Sequence, residues 1–209
     1  MKEKEGNFMM TILYEVGNKL YLNITNRCPC SCTFCIRNNG DGAYGSDSLW
    51  LEREPTVQEV IEQLEKTDLN KYAQVVFCGY GEPLERINDV AEICRSLRTR
   101  KTCPPIRINT NGLSDLINEK PTAEILRGLV DIMSISLNAG SSKEYQIVSQ
   151  PTFGEKSYRA LLHFAQDCKE IFPKVMFTVV DVIPPEEIEL ARRVAEDMGI
   201  EFRVRKYDA

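Results

Sequence analysis

The alternation of strand-like and helix-like segments is the feature that most constrains the fold of this chain. From Leu20 onward, short runs rich in β-branched residues alternate with segments whose apolar residues recur at helical spacing. Because strands separated by helices pair in parallel through right-handed crossovers, the pattern predicts a parallel sheet. Six such strands are too few for a closed eight-stranded barrel. We therefore expect a single α/β domain over residues 1–209, built as an open, partial (β/α)6 barrel.

The predicted elements begin with a hairpin arm, in which residues 11–16 and 19–25 flank the two-residue turn Gly17-Asn18. Thr56 and Glu59 form a capping box, which predicts that a helix starts there. The remaining strands are predicted at 74–78, 106–109, 130–137, 174–180 and 201–206, and the remaining helices at 87–100, 122–127, 158–171 and 185–198.

Three cysteines follow the first predicted parallel strand at C-x3-C-x2-C spacing, namely Cys28, Cys32 and Cys35. A short loop can direct three thiolates onto a small volume, as an iron–sulfur cluster requires. Three protein ligands would leave one iron of a four-iron cluster open to a small molecule. From the spacing alone, zinc with a fourth ligand such as Cys30 or Cys103 is a serious alternative.

Polar residues and glycines cluster where the predicted strands end, and parallel α/β folds bind their ligands there. Gly79-Tyr80-Gly81-Glu82-Pro83 closes one strand, while residues 109–112 and 134–138 close the next two. Polar residues also alternate within four strands, which a cavity facing one side of the sheet explains. These sets are Tyr21, Asn23 and Thr25; Arg107, Asn109 and Asn111; Ser134, Ser136 and Asn138; and Arg203, Arg205 and Tyr207. For Arg203 and Arg205, a solvated edge strand explains the pattern equally well.

These motifs resemble the radical S-adenosylmethionine (radical SAM) superfamily, whose signature has this cysteine spacing with an aromatic residue before the last cysteine. Phe34 fills that place, and Tyr80–Pro83 resembles the family's Gly-Gly-Glu-Pro motif with Tyr80 at the first glycine. The resemblance implies that Cys28, Cys32 and Cys35 hold a [4Fe-4S] cluster and leave Cys30 as a spare thiol.

The resemblance also implies a set of SAM-binding residues. They are Phe34, Gly79, Gly81, Glu82, Asn109, Asn111, Ser136, Asn138 and Asp181. In the family, the Glu82 region receives the methionine ammonium, and Ser136, Asn138 and Asn111 suit ribose and carboxylate contacts. The implied reaction is reductive cleavage of SAM to a 5′-deoxyadenosyl radical, which abstracts hydrogen from a substrate that the sequence does not identify. Flavodoxin or ferredoxin is the electron donor that such enzymes usually need.

At a finer level, residues 32–38 and 49–56 resemble the TatD-associated radical SAM subfamily, whose members accompany TatD-type hydrolases. Glycyl-radical activating enzymes share the length and the cysteine spacing, and they are the first alternative. A 7-carboxy-7-deazaguanine synthase would carry Asp-Thr where Ile36-Arg37 stands. Outside enzymes, the alternative is a zinc- or cluster-binding partner or regulator of such a hydrolase.

Net charge and hydropathy indicate which binding partners and which cellular location to expect. The net charge of −5 and the pI near 5.2 argue against a general nucleic-acid surface. No apolar run reaches the length of a membrane span and Met1–Gly6 lacks the apolar core of a signal peptide, so we expect a cytoplasmic protein. The long loop between Ile36 and Glu54 is a candidate cover for the site, especially its residues 40–50.

Overall fold

The computed structural model describes residues 10–207 of the 209-residue chain, so the Met1–Gly6 segment lies outside the described residues. Seven strands form one sheet whose spatial order is the chain order. They are β1 (Leu13–Val16), β2 (Lys19–Leu22), β3 (Gln74–Phe77), β4 (Ile106–Thr110), β5 (Ile132–Ser136), β6 (Lys174–Val180) and β7 (Glu201–Arg205). β1 and β2 form the predicted antiparallel hairpin, and every later neighbour is parallel. The prediction of six parallel strands behind a hairpin arm is confirmed.

Six α-helices occupy the connections between the described strands. They are α1 (Val57–Glu65), α2 (Ile87–Arg98), α3 (Ser114–Asn118), α4 (Ser142–Ser149), α5 (Lys156–Ile171) and α6 (Pro185–Met198). α1 begins at the predicted capping box, in which the Thr56 hydroxyl accepts from the Glu59 backbone N–H and the Glu59 carboxylate accepts from the Thr56 backbone N–H. Two short helices, α3 and α4, have no counterpart among the predicted elements. The predicted helix at 122–127 is a single 3₁₀ turn, Ala123–Leu126.

The two faces of the sheet have different chemistry, as the strand pleat requires. Leu22, Phe77, Ile108 and Met133 lie at matching register on four neighbouring strands, and all four are fully buried in the core beneath the helices. Burying a side chain of this size stabilises a fold by about 1.5–3 kcal/mol. The alternate positions, such as Tyr21, face the other way and line a cavity. The sheet therefore carries its core on one side and its candidate site on the other.

Among the described helices, none combines the length and the apolar character that crossing a lipid bilayer would require.

Candidate functional site

A cavity of about 260 Å³ lies where the parallel strands end. It brings together the three signature cysteines and eight of the nine residues that the family resemblance implied for SAM. These eleven residues are Cys28, Cys32, Phe34, Cys35, Gly79, Gly81, Glu82, Asn109, Asn111, Ser136 and Asn138. They come from the loop after β2 and from the ends of β3, β4 and β5, so segments far apart in the chain form one site.

The cysteine loop is held by α4, a helix that the sequence did not predict. The Ser31 N–H donates to the Ser149 carbonyl at 3.1 Å, and the Thr33 N–H donates to the Val148 carbonyl at 2.9 Å. Just beyond the helix, the Thr152 N–H donates to the Pro29 carbonyl at 2.8 Å. These three hydrogen bonds attach the cysteine loop to the end of α4 and to the residues just after it. The positions of the thiols therefore depend on the end of α4.

Gly81 lets the strand-end motif approach the start of the cysteine loop. A Cβ atom at this position would lie 2.3 Å from the Thr25 carbonyl oxygen and 2.6 Å from the Arg27 carbonyl oxygen. At such distances the backbone would have to move, because no flexible side chain is available to yield. The adjacent Glu82 N–H also donates to the Arg27 carbonyl at 2.7 Å. The two motifs are therefore joined through their backbones.

Cys30 lies between the signature cysteines as a buried thiol, and all eight cysteines of the chain are free. Hydrogen bonds from Cys30 lower the pKa of Cys28 and of Cys32, while the same two bonds raise the pKa of Cys30 itself. Cys30 thus favours the thiolate forms of its neighbours while remaining a protonated donor. The sulfur of Cys35 has a different partner, since Arg37 Nε donates to it at 3.3 Å.

The three signature thiols are not placed closely enough to share a single zinc ion. Tetrahedral zinc holds its sulfur ligands about 3.8 Å apart, whereas a four-iron cluster has one iron for each thiolate and spreads them further. Within residues 10–207, only Asp115, His163 and Asp167 place three such ligand atoms within 4.8 Å of one another, so the signature cysteines do not. Cys103, the distant candidate for a fourth zinc ligand, precedes β4 and belongs to the opposite end of the sheet.

Glu82 joins the ends of β3 and β4 through its carboxylate. Oε1 accepts from the Leu84 N–H at 3.0 Å and from the Thr110 hydroxyl at 2.8 Å, and Oε2 accepts from the Asn111 N–H at 2.6 Å. Burial and the nearby Cys28 thiolate nevertheless raise the pKa of Glu82 to about 8. The side chain that was expected near the methionine ammonium also shapes this edge of the cavity, and its ligand contact stays a prediction.

Asn138 has an unused acceptor inside the site. Its Nδ2 donates to the Ser149 hydroxyl at 3.0 Å, whereas its Oδ1 is buried and has no hydrogen-bond partner among the described residues. The backbone of Asn138 is left-handed, with φ of +63°, a conformation that asparagine tolerates better than most residues. Buried polar atoms are rarely left unpaired, so a hydroxyl or amine of a ligand would satisfy this oxygen. The site therefore fits a nucleoside-bearing molecule such as SAM.

Asp181 is the one implied SAM-binding residue that lies apart from the cavity. It is exposed, and its Oδ1 accepts from the Tyr207 N–H at 2.8 Å. Alternate residues of β6 face the same side, so Thr178 and Val180 line the cavity and the next residue points elsewhere. The structure therefore gives no support for the expected contact between the Asp181 side chain and adenine.

The expectation that Asn23 and Thr25 face the cavity is wrong. β2 ends at Leu22, and these two side chains instead hold the long loop that follows the cysteines. Asn23 Nδ2 donates to the Leu49 carbonyl at 2.8 Å, and the Thr25 hydroxyl donates to Glu54. In the last predicted set, Arg205 and Tyr207 line the cavity, whereas Arg203 is exposed.

The long loop covers one side of the cavity, with Tyr44 and Leu49 among the lining residues. The Tyr80 hydroxyl donates to the Gly40 carbonyl at 2.7 Å, and the Trp50 ring meets the Tyr80 ring edge-on at 5.0 Å. Tyr80, which occupies a glycine position of the family motif, therefore holds the loop against the barrel.

Lining residues that the sequence did not point to include Tyr14, Cys78, Thr178 and Lys206. Thr178 is the polar residue of an otherwise apolar strand segment, and that was the available signal. Tyr14 carried no such signal, because it belongs to a strand outside the parallel set.

Comparisons with known proteins agree with this geometry. The family model for the radical SAM superfamily matches residues 22–197. The GTP 3′,8-cyclase of Lactiplantibacillus plantarum is 29% identical over 175 residues, which are 82% of this chain and 49% of that protein. A probable dual-specificity RNA methyltransferase, RlmN of Carboxydothermus hydrogenoformans, is 27% identical over 103 residues, which are 48% of this chain and 28% of that protein. The chain thus spans about half, or less, of these curated relatives.

Solved structures show the same fold. Streptococcus suis SuiB bound to its precursor peptide SuiA superposes with a TM-score of 0.69 at 19% identity, covering 94% of this chain and 40% of SuiB. A radical SAM methyltransferase from Sphaerobacter thermophilus gives a TM-score of 0.59 at 16% identity, covering 93% of this chain and 68% of that one. With the family model matching most of its length, the chain belongs to the radical SAM superfamily, whose members are enzymes that use a [4Fe-4S] cluster and S-adenosylmethionine.

Proposed function

We propose that this chain cleaves SAM reductively and uses the resulting radical to abstract hydrogen from a substrate. The observation that carries the proposal is the meeting of Cys28, Cys32 and Cys35 with Ser136 and Asn138 on one cavity. When bound, the [4Fe-4S] cluster and SAM would supply a 5′-deoxyadenosyl radical and methionine. A non-catalytic zinc protein would need the cysteines but would have no use for polar residues at the ends of two further strands.

The chain contributes ligands and hydrogen bonds to this chemistry. Cys28, Cys32 and Cys35 would hold the cluster, and Cys30 together with Arg37, which donates to the Cys35 sulfur at 3.3 Å, would donate hydrogen bonds to the thiolates. Hydrogen bonds to cluster sulfurs stabilise the more negative, reduced state. The supporting groups are therefore placed where an electron must be held before it reaches SAM.

For SAM itself, the supporting observation is the unused Oδ1 of Asn138. Ser136, the last residue of β5, lines the same cavity two residues earlier in the chain. The loop carrying Tyr44 and Leu49 lies over the site and would limit the access of water and oxygen to a reactive radical.

We place the chain in the TatD-associated subfamily on the strength of residues 32–38 and 49–56, the segments that flank the covering loop. This assignment brings with it a functional link to a TatD-type hydrolase, a flavodoxin or ferredoxin as electron donor, and a cytoplasmic location.

Anaerobic reconstitution with iron and sulfide, followed by dithionite and SAM, tests the proposal. We expect 5′-deoxyadenosine and methionine in equal amounts, formed slowly in the absence of substrate. A sample with about four irons per chain that binds SAM but forms no 5′-deoxyadenosine after prolonged incubation would refute it.

A further inference from the structure

Arg107 brings a positive charge into the depth of the cavity. It lies near the start of β4, and its side chain is 8% exposed. Its Nε donates to Asn109 Oδ1 at 2.8 Å and its Nη2 donates to the Ser134 hydroxyl at 3.0 Å. Both partners are neutral, so the guanidinium is held in position but its charge is not balanced. Burial lowers the pKa of Arg107, and the charges of Arg203 and then of Arg205 lower it further.

Arg205 lines the same cavity from the edge strand β7. It is the last residue of β7, and its Nε is buried without a hydrogen-bond partner. Both arginines lie close enough to Tyr21 and Cys78 to act on the pKa of each. Arg107 and Arg205 both line the cavity, although they come from strands separated by β5 and β6.

No carboxylate of residues 10–207 forms an ion pair with Arg107 or Arg205. This is notable in a chain with 31 acidic and 26 basic residues, because acidic partners are plentiful elsewhere. Buried charges are costly unless they are paired, so two arginines in a cavity with no acidic partner among residues 10–207 favour the binding of an anion. Guanidinium groups suit phosphate and carboxylate, whose oxygens accept their parallel N–H donors.

We propose that Arg107 and Arg205 form an anion subsite that holds a phosphate or carboxylate group of a small-molecule substrate. The inference rests on the proposed function, since it names the class of molecule that meets the radical. We assign the subsite to the substrate rather than to SAM because neither arginine belongs to the set of residues implied for SAM binding. The neighbouring Lys206 and the Tyr207 ring continue this side of the cavity.

Calorimetric titration of the reconstituted protein, with SAM present so that the open iron position is filled, tests the subsite. Pyrophosphate and succinate serve as the phosphate and carboxylate probes. We expect at least one of them to bind, and Arg205→Gln to weaken that binding about tenfold or more. Arg203→Gln is the matched control, because Arg203 lies on the same strand but is exposed. Arg107→Lys keeps the positive charge but loses the parallel N–H donors of the guanidinium group. It should therefore weaken probe binding less than Arg205→Gln does.

Three results would overturn the subsite: neither probe binds the wild-type protein, Arg203→Gln weakens binding as much as Arg205→Gln, or Arg205→Gln weakens SAM binding instead. The preferred probe identifies the anion, with pyrophosphate indicating a phosphate and succinate a carboxylate. Cleavage of SAM in the absence of probe is measured on the same samples. If the wild-type protein does not cleave SAM, the result counts against the proposed function. If it cleaves SAM but binds neither probe, the result counts against the subsite alone.

Discussion

The two sides of the cavity differ in how they are built. The cysteine side comes from one loop and the adjoining strand ends, and its groups are held by many short-range bonds, such as Arg37 to Cys35. The arginine side comes from two strands that are not neighbours, and its charges have no acidic partner among residues 10–207. On the first side an unpaired atom is the neutral Asn138 oxygen, whereas on the second side two positive charges need a further molecule to balance them. This difference suggests that the fold holds its cofactor residues through hydrogen bonds between neighbouring segments and leaves substrate recognition to residues on strands that are not neighbours.

The largest effect is expected on the cysteine side. Cys32→Ala removes one of three ligands, and iron after reconstitution should fall from about four per chain to a small fraction of that. The control is Cys78→Ala, which removes a cavity thiol outside the loop and should leave iron content unchanged. Iron and sulfide analysis checks both variants. Equal iron loss in the two variants would mean that the loop is not the principal site.

The second largest effect is expected for the backbone contact between the Gly79–Pro83 motif and the start of the cysteine loop. Gly81→Ala places a methyl group against the Thr25 and Arg27 carbonyls, so we expect the free energy of unfolding to fall by about 1–3 kcal/mol. Gly128→Ala is the comparison, because its Cβ would meet nothing within 4 Å and only its φ of +72° carries a penalty, of about 1–2 kcal/mol. Urea unfolding measures both. The interpretation fails if Gly81→Ala is as stable as the wild-type protein.

A smaller effect, on SAM binding, is expected to distinguish Asn138, which lines the cavity, from Asp181, which does not. Asn138→Ala removes the unused acceptor and should weaken SAM binding roughly tenfold, the effect of about one hydrogen bond. Asp181→Ala should leave SAM binding unchanged, since that carboxylate accepts from the Tyr207 backbone outside the cavity. Equilibrium dialysis with labelled SAM gives both values. The reverse order would restore Asp181 as an adenine contact and remove Asn138.

The smallest effect concerns Cys30. Cys30→Ala should keep the iron content and make the cluster's reduction potential more negative, because a donor to Cys28 and Cys32 is lost. Cys30→Ser keeps a donor and should stay closer to the wild-type potential. Spectroelectrochemical titration distinguishes the variants. Loss of the cluster in Cys30→Ala would instead make Cys30 a ligand.

The sequence predicted the cysteine side and the sheet well, because both depend on local patterns. Period-two alternation, a capping box and a short cysteine motif each act over a few residues. The sequence did not predict α4, whose buried Tyr145 and Val148 give only a short apolar pattern, although that helix end holds the cysteine loop. Nor could it assign Arg205 to the cavity and Arg203 to solvent, since both occupy the same strand face and only the position along the strand separates them.

The roles of the residues that hold the long loop also could not be predicted from the sequence. Asn23 and Thr25 continue the polar alternation of β2, so they were expected to face the cavity. The strand ends before them, and their hydrogen bonds go to Leu49 and Glu54 in the covering loop. Hydrogen-bond partners this far apart in the chain cannot be predicted from the spacing of polar residues within one strand. Asn111 and Asn138 also lie beyond the ends of their strands and still line the cavity, so the alternation alone does not show where side chains stop facing it.

The most direct test of the account compares both sides of the cavity in one assay, the anaerobic formation of 5′-deoxyadenosine from SAM and dithionite. The account predicts that the wild-type protein and Arg205→Gln both form it without substrate, whereas Cys32→Ala forms none. Cluster-loaded wild-type protein that forms no 5′-deoxyadenosine, or an Arg205→Gln variant that loses cleavage together with Cys32→Ala, would contradict the separation of radical generation from substrate binding.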